Sequence, residues 1–470
     1  MKLLEALAGE AFARVAEAQH SIGNDVRLLR DAAQTYPAWL DAIANAEHYV
    51  HLENYIIQED RVGRAFADAL IQAARRGVAC RVIYDWLGCL RRTSGPFWVR
   101  LIAAGVEVRR YNPPSFDNSL RWISRDHRKV LCVDGVVAFT GGLCIGHDWL
   151  GDPVRNIAPW RDTAVEIRGP AVAQVNAAFA DSWAVCGSPL AADMQVPPPP
   201  AVAGGGVDIS VIAGRPNSMG LYRLEQLIAE IAERSLWLTD GYFVATTGYV
   251  RALSGAANAG VDVRLLIPGS SDWPIIGAMS KSAYHPLLEF GVRVFEWNGS
   301  MLHAKTAVAD GCWSRIGSSN SNIASWITNR ELDVTIKDEH LAGQMEAMFE
   351  EDMANATEIV LQRGRSGINR PSSGSGAKFT RPPSMAASRL FSGAIGFGST
   401  LSASLTQHRI VGSQEAMVLL GGGALLLLIA LVAIAWPMVL TLPLAALALW
   451  VAADLLIRAF RLWRIGRRRG

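Results

Sequence analysis

One short pattern occurs twice in this 470-residue chain, and it constrains the fold more than any other feature. The first copy is His127-Arg128-Lys129-Val130-Leu131-Cys132-Val133-Asp134; the second is His303-Ala304-Lys305-Thr306-Ala307-Val308-Ala309-Asp310. Both read His-x-Lys-x4-Asp. Lysine is scarce here, 6 residues against 39 arginines. Random placement of the chain's His, Lys and Asp predicts ~0.006 copies, so two copies mark a duplicated unit.

The surroundings repeat as well. Tyr49-Val50-His51-Leu52-Glu53-Asn54-Tyr55 and Leu236-Trp237-Leu238-Thr239-Asp240-Gly241-Tyr242 both read as strands. Gly77, Gly105, Gly260 and Gly291 each separate a helical stretch from a β-branched run, the signature of a helix C-cap followed by a strand. Alternating strands and helices predict an α/β fold: two similar α/β/α sandwich halves, at 1–196 and 207–362, related by a pseudo-twofold axis across a central cleft. Pro197–Pro200 and Gly204–Gly206 predict a connector between them.

Alternation along a strand puts His127 with Lys129, and His303 with Lys305, on one face, where each pair can meet one ligand. Small-residue turns follow, Gly141-Gly142-Leu143-Cys144 and Gly317-Ser318-Ser319-Asn320. Gly142, Ser318 and Asn320 are expected to bind phosphate through amides and side-chain donors. Asp162 and Glu331, one per half, are expected to orient the histidines. Asp134 and Asp310 belong to the catalytic motif, but their strand parity turns them away from substrate, in support of the site turn. His48, His51, His147 and His285 lack partners at matched spacing and are read as structural. Of the tryptophans near the motifs (Trp122, Trp160, Trp273 and Trp326), most are expected in the core.

These motifs closely resemble the phospholipase D superfamily over roughly residues 24–352, and most of all bacterial cardiolipin synthases. Asp126-His127-Arg128-Lys129, Phe139-Thr140-Gly141-Gly142 and Leu302-His303-Ala304-Lys305 carry the likeness. Cys144 stands where such enzymes usually have Asn. The resemblance implies phosphatidyl transfer through a phosphohistidine, with His127 as nucleophile and His303 as acid/base, Lys129 and Lys305 offsetting phosphoryl charge, and no metal or other cofactor. The implied substrate is a phospholipid and the acceptor an alcohol such as phosphatidylglycerol. The alternative is a phospholipase D or another phosphodiester hydrolase of the same fold.

Charge and hydropathy describe the rest. The formal net charge of +2 hides a split: residues from Arg363 onward carry +11, and the preceding part −9. An acidic body has no broad field for phosphate polymers, so nucleic acid is not an expected partner. Residues 363–413, rich in Ser, Gly, Arg and Pro, read as a disordered basic linker. Ala416 to Ile457 is a 42-residue run whose one charge is Asp454. A crossing needs about 20 apolar residues, so the run suffices for a transmembrane hairpin at 414–460, broken near Pro437. Arginines on both flanks place the catalytic body and a basic tail, 461–470, on the cytoplasmic side of the inner membrane, against anionic lipids. Acidic residues interrupt the N-terminus, which does not read as a signal peptide. The six cysteines form no CxxC pair and are expected to be buried free thiols of a reducing compartment.

Overall fold

A computed structural model describes residues 10–114, 124–191, 199–202, 206–361 and 449–450. Its strands are β1 (Gln19–Arg30), β2 (Tyr49–Asn54), β3 (Ala79–Asp85), β4 (Glu107–Tyr111), β5 (Lys129–Val133), β6 (Val137–Gly141) and β7 (Thr163–Arg168), followed by β8 (Val207–Gly214), β9 (Ser235–Asp240), β10 (Asp262–Pro268), β11 (Arg293–Trp297), β12 (Lys305–Ala309), β13 (Trp313–Gly317), β14 (Glu331–Lys337) and β15 (Ala356–Ile359). They run in the order β15-β11-β10-β9-β12-β13-β14-β8-β1-β7-β6-β5-β2-β3-β4. Read outward from the antiparallel β1–β8 pair, the two halves have the same order, with β15 added at one edge. This is the duplication of the sequence, written as topology.

Within each half three strands are parallel: β2, β3 and β4, then β9, β10 and β11. Parallel neighbours need crossovers, and helices supply them. The crossover at Arg61–Arg75 starts where the Asp60 carboxylate accepts from the Gly63 amide at 2.9 Å, and it buries Val62, Phe66 and Leu70. Its counterpart at Thr247–Asn258 is capped by Thr246 and buries Val250 and Leu253. After the crossover helices Gly77, Gly105, Gly260 and Gly291 all adopt positive φ, which reverses the chain into the next strand as expected.

Core burial explains why the halves do not separate. Each half has its own cluster of buried side chains, around Trp39, Phe66 and Phe139 in one and Leu224, Tyr249 and Leu253 in the other. A third cluster joins them: Val130, Cys132, Val165 and Ile167 lie in one core with Ile209, Leu332, Val334 and Ile336. Burying each such side chain contributes about 1.5–3 kcal/mol. The halves also exchange material, since Ala16, ahead of β1, belongs to the second half's core. No two cysteines are bonded, and all but the half-buried Cys186 are buried.

Among the described residues no helix is long and apolar enough to cross a membrane. The expected linker, hairpin and tail lie outside the described residues, apart from Leu449 and Trp450, which are helical. Trp122 also lies outside them.

Candidate active site

The antiparallel register fixes where the chemistry sits. Asn54 at the end of β2 faces Lys129 at the start of β5, and Asp240 at the end of β9 faces Lys305 at the start of β12. The motif residues therefore gather at the C-terminal ends of the parallel strands, where connecting loops open the sheet to ligands. The segments that carry the histidines then cross between halves. The His127 amide donates to Arg330 O at 2.9 Å, and the His303 amide to Arg161 O at 2.7 Å. Short parallel bridges, Asp126 with Arg330 and Arg161 with Leu302, hold each histidine segment against the acid segment of the other half.

The acids thus serve the histidines crosswise. His127 Nδ1 lies 3.0 and 2.9 Å from the two carboxylate oxygens of Glu331. His303 Nδ1 lies 2.8 Å from Asp162 Oδ2. Each pairing leaves Nε2 as the nitrogen available for phosphorus or for a leaving oxygen. Lys129 and Lys305 are fully buried, and each ammonium donates to the carbonyl of its own motif histidine. The electrostatic influence of both lysines reaches both rings.

Burial is the main influence on the ring pKa values. It lowers His127, with Lys129 and Lys305 adding to the fall and Glu331 opposing it. Burial and Lys305 bring His303 down to about 3. Burial raises the carboxyls of Asp162 and Glu331, but His303 and Lys305 in one case, and His127, Lys129 and Ser318 in the other, leave both below their ordinary values. The resting site therefore holds two neutral imidazoles on two carboxylates. Burial also lowers Lys305 to about 8.

Two expected phosphate-binding roles change. Ser318 is not free to bind phosphate: its hydroxyl donates to Glu331 at 2.6 Å and accepts from the Leu332 amide at 2.9 Å. The amides of Gly142 and Ser318 donate to Thr163 O and Leu332 O, extending the ladders of β6 and β13. Gly142 matters through what it lacks. A Cβ there would sit 2.1 Å from Asp162 Oδ1, so only glycine lets that carboxylate reach His303. Asn320 is buried beside the site, its side-chain oxygen without a hydrogen-bond partner and its backbone amide donating to the Ser325 hydroxyl at 3.2 Å.

Asp134 and Asp310 lie at the opposite end of the sheet and do not support the site turn. Each is the first residue of an Asp-Gly hairpin turn with positive φ at both positions, the type I′ signature. Asp134 accepts from the amides of Glu47, His48 and Tyr49, and Asp310 from those of Glu233, Arg234 and Ser235. They pin the starts of β2 and β9. The Asp-Gly pairs were visible in the sequence and indicate this role.

Several residues around the site escaped sequence reasoning. Tyr55, one residue after β2, and Tyr242, two residues after β9, meet the edges of His127 and His303, with Lys129 and Lys305 over their rings. The repeat located both tyrosines without indicating this contact. Trp149 donates to Asp162 at 3.0 Å and, with Trp160, contacts His303. Arg128 is fully buried and donates to Glu331 O, Ala178 O and Gly214 O, tying both halves together behind His127. Burial and the neighbouring Glu53 carboxyl push Asp126 well above the carboxylate range. Cys144 is buried within the electrostatic reach of both lysines, and burial pushes its thiol up. Of the histidines read as structural, His51 is buried between Tyr49 and Phe179 and bonds Asn176, while His147 bonds Asp60.

Two histidine–carboxylate pairs, exchanged across a duplicated α/β fold and backed by two buried lysines, define the phospholipase D class. Residues 39–183 and 224–353 match the family described as "Cardiolipin synthase, PLD-like domain". The cardiolipin synthase of Geobacillus thermodenitrificans is 33% identical over 352 residues, which are 74% of this chain and 69% of that protein. Cardiolipin synthase 1 of Bacillus cereus is 32% identical over 345 residues, 71% of this chain and 67% of that one. Among solved structures, phosphatidylserine synthase from Haemophilus influenzae Rd KW20 superposes with a TM-score of 0.56, covering 71% of this chain and 87% of that one at 14% identity, a likeness of fold. This chain belongs to the cardiolipin synthase family of phospholipase-D-like proteins and is a phosphatidyltransferase of that type.

Proposed function

We propose that the chain moves a phosphatidyl group from one phospholipid to an alcohol on another, phosphatidylglycerol being donor and acceptor, so that cardiolipin and glycerol form. The observation that carries this reading is the crossed pairing of His127 with Glu331 and His303 with Asp162. In the first step His127 Nε2 attacks phosphorus, the bond to the glycerol oxygen breaks, and His303 gives that oxygen a proton. In the second step the acceptor hydroxyl loses its proton to His303 and displaces His127. Lys129, Lys305 and Asn320 offset the charge on the phosphoryl oxygens.

His303 must carry a proton into the first step although burial and Lys305 favour its neutral form. An anionic phosphodiester beside the ring favours the imidazolium, so substrate binding itself supplies the proton affinity. A bilayer location is supported by the apolar run from Ala416 to Ile457 and its arginine flanks, which favour a hairpin with the catalytic body on the cytoplasmic face.

Purified full-length protein given labelled phosphatidylglycerol, with EDTA present, should form labelled cardiolipin and glycerol. Phosphatidic acid as the sole lipid product would make the chain a hydrolase. Loss of turnover on chelation, restored by one divalent ion, would remove the metal-free mechanism. An acid-quenched reaction should leave a phosphatidyl adduct on the peptide containing His127; an adduct on His303 would reverse the two roles.

A further inference from the structure

The loops around the two histidines carry a set of exposed apolar side chains that the catalytic mechanism does not use. Leu87 and Leu90 follow β3 and are 41% and 45% exposed; Val154, in the loop between β6 and β7, is 96% exposed. In the second half Trp273 follows β10 and is 63% exposed, while Ile323, between β13 and β14, is 38% exposed. Strand direction puts all four loops at one end of the sheet. The ends of β2 and β9 face Lys129 and Lys305, and β3 and β10 run parallel to them. β6 and β13 run antiparallel to β5 and β12, so they also finish at that end.

Single exposed apolar residues are ordinary on any surface. The opposite end exposes apolar residues too, Val136, Phe290, Val360 and Leu361. The active-site end differs because its apolar tips ring the two histidines, and because exposed arginines stand next in the chain: Arg91 and Arg92 after Leu90, and Arg155 after Val154. An apolar tip with a guanidinium beside it suits a surface that is oily below and anionic above.

We propose that this rim, centred on Leu87, Leu90, Val154, Trp273 and Ile323, docks the catalytic body onto a phospholipid monolayer, so that substrate phosphate enters the site while its acyl chains stay in the membrane. The inference rests on the phospholipid substrate of the proposed function. Its physical basis is the cost of the alternative. Drawing acyl chains into water costs about 0.8 kcal/mol for each CH2. A groove of about 390 Å³ between helices 61–75 and 95–103 is a poor refuge for them, because Asp68, Gln72, Arg75 and Arg100 line it alongside Ile71 and two alanines. Apolar tips that pass the headgroups bring His127 and His303 to the depth of the phosphodiester, and Trp273 suits the interfacial level where indole rings settle.

Two readouts on the full chain test this. In the first, Val154→Ser/Trp273→Ser should turn over phosphatidylglycerol vesicles about tenfold more slowly, yet short-chain phosphatidylglycerol below its micellar concentration within about twofold of the parent rate. Equal rates on vesicles, or an equal loss on both substrates, would overturn the docking rim. The second readout needs no turnover. V154C carrying an environment-sensitive dye should shift to the blue on transfer from detergent into phosphatidylglycerol vesicles, whereas V136C at the opposite end should not. No shift at position 154, or the same shift at 136, would also overturn it. A parent protein that made no cardiolipin from either substrate would fail the proposed function, and the dye would still decide the rim.

Discussion

A histidine that attacks phosphorus must be neutral, and one that protonates a leaving alkoxide must be able to become charged. The buried carboxylates, Glu331 for His127 and Asp162 for His303, meet both needs by fixing the Nδ1 side and leaving Nε2 to the substrate. In the proposed mechanism the two rings act in one proton cycle, so His127→Ala and His303→Ala should each reduce turnover by about a thousandfold or more, and the double variant should be no worse than either single one. Purified-protein kinetics check this, and additive losses would mean that the rings act independently. The lysines set a second limit. In the proposed mechanism Lys305, brought down to about 8 by burial, offsets phosphoryl charge only while protonated. Its cationic fraction falls as pH rises through that value, so kcat/KM should decline above about pH 8. The fold responds oppositely: from about 8 to the ordinary lysine value the unfolded chain holds more protons at this position, so Lys305 adds stability as pH rises there. A kcat/KM profile flat to pH 10 would take Lys305 out of the charge-stabilising role.

The elements divide positioning between the two ends of the sheet. At the catalytic end, the β13–β14 connection bonds Ser318 to Glu331, and the glycine after β6 makes room for Asp162. At the other end, the hairpin aspartates hold the amides that precede β2 and β9. Asp134→Ala should therefore cost about 1–3 kcal/mol of stability through lost amide partners, and leave kcat within a few-fold of the parent. Thermal unfolding followed alongside turnover separates the two effects. A collapse of kcat with unchanged stability would return Asp134 to the chemistry. The second half also carries a charged network where the first is apolar. Buried Arg315 bonds Glu225 and the Ser319 carbonyl, and Ser319 bonds Asp333, whereas Phe139 and Ala164 occupy the matching places on β6 and β7. Burial pushes Glu225 up to about 8, against the pull of Arg315. The pseudo-twofold is therefore one of backbone, not of side chains.

At the scale of the molecule, each half is catalytically incomplete. The first half's histidine is held by the second half's acid, and Arg128 and Arg330 extend the exchange by reaching across the same boundary. The long apolar run beyond the described residues then bears on where the body works, not on how. Truncation before Arg363 should leave a soluble protein that turns over short-chain monomeric substrate at the parent rate and membranes much more slowly, since the local lipid concentration falls. Flotation with vesicles and parallel rate measurements check this. Parent-level turnover of vesicles by the truncated chain would show that the apolar run is dispensable for reaching lipid.

The duplication, the α/β class, the helix-ending glycines and both His-x-Lys pairs follow from the sequence alone. They are local patterns or exact spacings: a glycine forced to positive φ, alternation along a strand, a motif copied intact. The Asp-Gly turns were equally local, and reading them as hairpin signals would have placed Asp134 and Asp310 at the far end of the sheet. What spacing could not tell is who touches whom. Asp162 follows His127 in the chain by fewer residues than Glu331 does, yet Glu331 bonds it, because the segments meet across the pseudo-twofold. For the same reason Ser318 reads as a phosphate donor until the fold places Glu331 against it, and Gly142 as a free amide until Asp162 appears beside its Cα. The sequence determined which chemical groups the site contains; tertiary structure decided their pairing, because contacts between distant segments depend on how the two halves pack and not on chain distance.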